Sequence, residues 1–196
     1  WNPGTEQEIF SLEALISAFE LDRVHKAGAK FDPEKTKWFQ HQYLQEVDDA
    51  VLANQFSEIL KEKDITTNLD VKKIVSLVKE RATFVNDLWE QANFFFLTPE
   101  TYNEKASAKA FKPETPEILS SVIEILNANE NFSAANISEK VKAWVSSQEL
   151  GFGKVMMPLR LALVGEMKGP DVFDIASVLG KEESILRIEN AIEKMS

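Results

Sequence analysis

The sequence predicts an all-α fold. Three observations carry this reading: apolar residues recur at intervals of three and four, alternating strand-like runs are missing, and helix-start patterns built on proline recur along the chain. In order, Ser11 stands before "LEALISAF" as a helix cap. "FDPEK" at 31–35 offers Asp32 as cap, Pro33 as first helical residue and Glu34 near the positive helix end. Asn68 precedes "LDVKKIV", and Val71, Val75, Val78, Ala82, Val85, Trp89 and Ala92 make one stripe across 71–92. "LTPET" at 97–101 reads as a start with Thr98, Pro99 and Glu100, and "ETPEI" at 114–118 as another with Thr115, Pro116 and Glu117. Ile118, Val122, Ile125 and Leu126 form a further stripe, as do Ile137, Val141, Trp144 and Val145. "KGPDVF" at 168–173 offers Gly169 as cap, Pro170 first and Asp171 next, and Ile185, Ile188 and Ile192 end the series. The total is about eight to ten helices in a bundle with short connections. No fixed-length repeat suggests a solenoid.

At 196 residues and 44% apolar content, the chain can bury a core as one compact domain or two small ones. No apolar run reaches the roughly 18 residues of a membrane span. The chain opens on Trp1 with no signal-peptide pattern, and reads as an excised piece of a longer protein. It has no cysteine, which excludes disulfides, thiolate nucleophiles and cysteine-based zinc sites. His25 and His41 lie too far apart for a two-histidine metal motif on one helix turn, and read as ordinary surface or half-buried residues. The net charge of −10 opposes nonspecific binding to nucleic acid. Two basic islands run against that balance: Lys72, Lys73, Lys79 and Arg81 within 71–81, and Lys154, Arg160 and Lys168 within 151–170. Charge alone favours reading them as solvated helix faces.

No glycine-rich phosphate loop and no nucleophile elbow occurs, and the acid pairs Asp48-Asp49 and Glu182-Glu183 sit at adjacent helical positions that point apart. The residues offer no catalytic site and no metal site. "NFFFL" at 93–97 could stack bases but reads as core. Arg81 sits about 60° from Val78 and about 40° from Val85 on a helical wheel, bordering the apolar stripe. By itself this favours an ion pair to a neighbouring helix. Arg160 is the odd residue. It lies in "MMPLRLALVG", apolar all round, two residues after Pro158. Proline is comfortable only in a first turn, so the helix is expected to start near 155–157, after a flexible approach through Gly151 and Gly153. A buried arginine must be paired. Either an internal carboxylate or a ligand could satisfy it.

The order and spacing of several motifs resemble the bacterial glutamyl-tRNA synthetase family over the whole chain. The opening stretch matches at Glu8-Ile9-Phe10-Ser11-Leu12-Glu13, at Ala29-Lys30-Phe31-Asp32, at Lys35 and Trp38, and at Tyr43-Leu44, and departs at Gln40, where asparagine is usual. "KERATFVNDLWEQANFFF" and "GKVMMPLRLALVGEMKGPDVFDIASVLGKEESILRIENAI" are similar to that family's later signatures. The resemblance implies a division into 1–45, the helical tail of the stem-contact fold, then anticodon-binding subdomains at 46–98 and 99–196. Loss of hydrophobicity over 97–113 is consistent with that second boundary. H-x-G-H and K-M-S-K-S are both missing, and the terminal "KMS" at 194–196 ends a helical segment rather than lying in a loop. This piece is therefore expected to be non-catalytic and to carry no cofactor, with ATP and Mg belonging to a catalytic part elsewhere in the parent ligase.

The resemblance implies that Arg81 reads the third anticodon base, cytosine, and rejects the guanine of glutamine tRNA. An arginine fork suits an unstacked base edge, and this replaces the ion-pair reading. It further implies anticodon contacts at Arg160, Pro170 and Val172, and at Met157 and Gly169, where glutamine and threonine can occur. The implied partner is glutamate tRNA, and the implied setting is a cytoplasmic, monomeric enzyme with no membrane contact. The alternative is a helical protein–protein interaction module. It expects Arg160 to pair with an internal carboxylate and no cationic face to join Arg81 to Arg160.

Overall fold

The structure, a computed structural model, describes residues 1, 3–24, 28 and 30–195. His25, Ala29 and Ser196, which the sequence reading invokes, lie outside the described residues. Eleven α-helices form among the described residues, more than the eight to ten expected, with no strand. The first two are peripheral. α1 (Leu12–Ala18) is capped by Ser11, whose hydroxyl accepts from the Ala14 N–H, and it buries none of its residues. α2 (Pro33–Glu46) starts as expected, with the Asp32 carboxylate accepting from Glu34 and Lys35 N–H groups and Pro33 in the first turn.

One apolar core runs from Leu44, at the end of α2, to Ala191 and draws residues from every remaining helix except the short Glu104–Ala110. The remaining helices are α3 (Asp49–Glu62), α4 (Val71–Val78), α5 (Asp87–Phe96), α6 (Glu104–Ala110), α7 (Thr115–Asn127), α8 (Ala134–Ser147), α9 (Phe152–Val164), α10 (Val172–Leu179) and α11 (Lys181–Met195). α3 pairs with α4, α7 with α11 and α8 with α10, while α9 lies among α6, α7, α10 and α11. The stripes expected on α7 and α8 are buried at Ile118, Val122, Leu126, Ile137, Val141 and Val145. Phe94 and Phe95 are core, as expected, so they are not stacking platforms.

Tertiary contacts move several helix boundaries. The 71–92 stripe is not one helix: a 3-10 turn over Lys79–Arg81 and a loop separate α4 from α5. The Asp87 carboxylate accepts from the Thr83 and Phe84 N–H groups and holds the chain out of the helix there. Asp70, not Asn68, caps α4. Thr98 begins no helix; its hydroxyl donates to Glu183, and α6 starts six residues later behind an Asn103 cap. Thr115 is the first residue of α7 rather than its cap, because its buried hydroxyl closes the preceding turn, accepting from Lys112 N–H and donating to the Ala110 carbonyl. Asp171, not Gly169, caps α10, accepting from Phe173 N–H.

α9 departs furthest from expectation. It begins at Phe152, so Pro158 lies inside the helix rather than in its first turn. An interior proline costs roughly 3 kcal/mol. Burial of Val155, Pro158, Leu159, Leu161, Ala162, Leu163 and Val164 offsets that cost. The helix ends at Gly165, in the left-handed region at φ 81°, where a Cβ would stand 3.1 Å from both Pro99 Cβ and the Thr101 carbonyl oxygen.

Candidate nucleic-acid interface

Arg81 ends the 3-10 turn that follows α4 and is exposed. Its Nη1 donates back to the Leu77 carbonyl at 3.3 Å. No carboxylate pairs with it among the described residues. The turn beneath it is anchored from α2 and from the start of α3. His41 Nδ1 lies 2.8 Å from the Ala82 carbonyl oxygen, and Gln45 Nε2 donates to the Lys79 carbonyl at 3.0 Å. Lys79 Nζ in turn donates to the Val47 carbonyl and pairs with Asp49 at 2.8 Å. Lys79 is therefore a strut, whereas Lys72 and Lys73 of the same basic island stay exposed.

Arg160 is half-buried on α9. Within the chain its partners are backbone carbonyls rather than an internal carboxylate. Nη1 donates to backbone carbonyls of the turn before α10, at 2.9 Å to Lys168, 3.4 Å to Gly169 and 2.7 Å to Pro170. Its Nε and Nη2 take no partner among the described residues. Burial lowers the pKa of this guanidinium, the Asp171 carboxylate opposes the shift, and the charge of Arg81 adds to it. The two arginines, 79 residues apart in sequence, are therefore close enough to repel each other. Asp171 acts on Arg160 more strongly than Arg81 does, so a carboxylate lies within the same electrostatic neighbourhood.

In the turn itself, Gly169 has φ 93°, and a Cβ there would stand 3.0 Å from Phe94 Cζ. Pro170 and Val172, where the resemblance implies anticodon contacts, are buried. They pack the turn against the core, which leaves its backbone and the side chains of Lys168 and Asp171 on the accessible side. Met157 is half-buried, one turn before Arg160 on α9. Two other cations of the second basic island have neighbours: Lys168 pairs with Glu166 at 3.3 Å, and Lys154 stands 3.9 Å from Glu114.

Sequence reasoning missed the most deeply buried arginine. Arg187, 2% exposed, donates Nε to Glu183 at 2.7 Å and Nη1 to the carbonyls of Phe94 and Leu163. Those carbonyls belong to the last turns of α5 and α9, where helix carbonyls lack intrahelical partners. The signal was present: Ser184, Arg187, Ile188 and Ala191 follow helical spacing and are all buried. The Ile185, Ile188 and Ile192 stripe differs from it by a rotation toward Arg187, and Ile185 and Ile192 are only half-buried.

Among the described residues, no group of three or more histidine, aspartate and glutamate side chains is placed to hold a metal ion. Among the described residues no helix is long and apolar enough to cross a membrane.

The family described as "Anticodon binding domain" matches residues 37–192. The glutamate–tRNA ligase of Flavobacterium psychrophilum is 56% identical over 193 residues, which is 98% of this chain and 38% of that protein. The enzyme of the same name from Flavobacterium johnsoniae is 55% identical over 100% of this chain and 39% of its own length. A crystal structure of a glutamate tRNA ligase from Elizabethkingia meningosepticum, in complex with its amino acid, superposes with a TM-score of 0.95 at 45% identity, covering 100% of this chain and 39% of that one. The chain thus spans about two fifths of the length of the curated relatives it matches. It belongs to the anticodon binding domain family, in the branch whose matched relatives are bacterial glutamate–tRNA ligases.

Proposed function

We propose that this chain is the anticodon-reading part of a glutamate–tRNA ligase, a larger enzyme that joins glutamate to its tRNA with ATP and Mg in a catalytic region outside these residues. The partner is the anticodon arm of glutamate tRNA, and the setting is a monomeric, cytoplasmic enzyme. Residues 1–45 are assigned to the tail of the stem-contact fold, and the exposed Leu12, Ile16, Leu21 and Phe31 are assigned to packing against the rest of that unit. Residues 46–98 and 99–196 are assigned as the two anticodon-binding subdomains. Arg81 is assigned to the third anticodon base. Arg160, Met157 and the Gly169–Val172 turn are assigned to the other anticodon positions.

One observation carries the reading: the two arginines that the family likeness singles out have no carboxylate bonded to them, Arg81 being exposed and Arg160 engaging only Nη1. A guanidinium with unengaged N–H groups is suited to charge-assisted hydrogen bonds with phosphates and base edges. The interaction-module alternative requires a carboxylate on Arg160, and backbone carbonyls occupy that place. The test is binding of this chain to a synthetic anticodon stem-loop of glutamate tRNA at several salt concentrations. Affinity should fall as salt rises, because phosphate contacts release counterions. Affinity indifferent to salt, or no binding at all, would count against it.

A further inference from the structure

α9 has a narrow outward face. Seven of its thirteen residues are buried, and Gly153, Met157 and Arg160, spaced by four and three, lie along one side that is exposed or half-buried. From Arg160 this stripe runs about 10 Å toward the helix start, at about 1.5 Å per residue. There it meets a cavity of about 360 Å³ between α9 and the turn joining α6 to α7. Pro113, Ile118 and Met157 give it an apolar floor, and Lys109, Lys112 and Lys154 stand around it. Glu114 is the only carboxylate among its lining residues and lies 3.9 Å from Lys154. Lys112 donates to the Ala108 carbonyl, which leaves two of its three N–H groups for a ligand. Three lysines around one small apolar cavity stand out on a chain of net charge −10.

We propose that this cavity is a second subsite for the single-stranded RNA that passes Arg160, holding one unstacked nucleobase over Met157 and Ile118 while the lysines take the flanking phosphates. The proposal rests on the anticodon-reading function above and adds Lys109, Lys112 and Lys154 to the surface that performs it. The chemistry matches on both counts. A thioether and an aliphatic branch accept the face of a flat ring, and mobile ammonium groups hold phosphates without demanding one geometry. Bases of single-stranded loops are free to be splayed in this way.

Two variants separate the halves of the site. Lys109→Gln with Lys112→Gln removes charge and leaves the floor. Gly153→Leu fills the cavity and leaves the charge; a Cβ there meets only Met157 Sδ, at 3.9 Å, so the helix should accept it. The probe is a synthetic, unmodified RNA with the anticodon stem-loop sequence of a bacterial glutamate tRNA, titrated at several salt concentrations, with urea midpoints checking that each variant folds. The double lysine variant should bind about tenfold more weakly at low salt, with the slope of log K against log salt reduced by about 1.4, since each single-strand phosphate contact contributes about 0.7. Gly153→Leu should weaken binding several-fold with an unchanged slope. If both variants bind like the parent chain while Arg160→Gln loses affinity, the subsite is wrong and the anticodon-reading function stands. If the parent chain itself fails to bind the stem-loop, both fall together.

Discussion

Arg187 and Arg160 make similar bonds in opposite surroundings. Both donate Nη1 to backbone carbonyls, and burial lowers the pKa of both. Arg187 is enclosed, adds a carboxylate through Glu183, and joins the ends of α5 and α9 to α11. Arg160 is only half-buried, holds its turn with one nitrogen, and feels Asp171 and, less strongly, Arg81 through space. The contrast separates two uses of one side chain. A guanidinium whose charge is matched inside the fold is a structural junction. One whose hydrogen bonds are met by neutral carbonyls, with a carboxylate near but not bonded to it, keeps N–H groups to offer outward.

The sharpest way to break the contrast is to remove the junction. Arg187→Met should cost about 3–5 kcal/mol in urea unfolding, because Glu183 and two helix-end carbonyls lose a buried partner. A loss under about 1 kcal/mol would mean the junction is not structural. Gly169→Ala comes next. Its positive φ and the close approach of Phe94 should cost about 1–3 kcal/mol and displace the carbonyls that hold Arg160. Thermal unfolding checks the first effect and stem-loop affinity the second. Arg160→Ala should cost about 1 kcal/mol of stability, the scale of hydrogen bonds lost at a partly open site, and should lower RNA affinity more than that loss accounts for. Arg81→Ala should change stability by no more than about 0.5 kcal/mol, since it removes one long hydrogen bond at the surface.

The helical class, and the starts at Ser11 and Asp32, were legible because local chemistry decided them: a capping oxygen and a first-turn proline act within a few residues. The starts misplaced at Thr98, Thr115 and Gly169 failed where a distant or turn partner took the capping group. Thr98 went to Glu183, Thr115 to the preceding turn, and Gly169 gave way to Asp171. Pro158 misled for the same reason, since the gain from burying α9 exceeds a local backbone cost. At the candidate site, the sequence marked Arg160 as out of place, but its partner is the backbone of a turn eight to ten residues on, and no residue pattern encodes carbonyl direction. The position of Arg81 relative to Arg160 depends on α5 and α10, which each contact both α4 and α9, and was likewise invisible in the pattern. Arg187 was legible in principle, from the spacing of Ser184, Ile188 and Ala191, once an arginine is allowed on a core face.

The most direct test of this division of labour concerns Arg81 and the third anticodon base. Affinity of the chain is measured for two stem-loops that differ only at that base, cytosine or guanine, with Arg81 intact and with Arg81→Ala. The expected result is that the intact chain prefers cytosine and that the substitution removes about 1–3 kcal/mol of that preference, the scale of one good base-edge contact, without changing the urea midpoint. An equal preference in both chains, or no preference in either, would contradict the assignment of Arg81 as a reader.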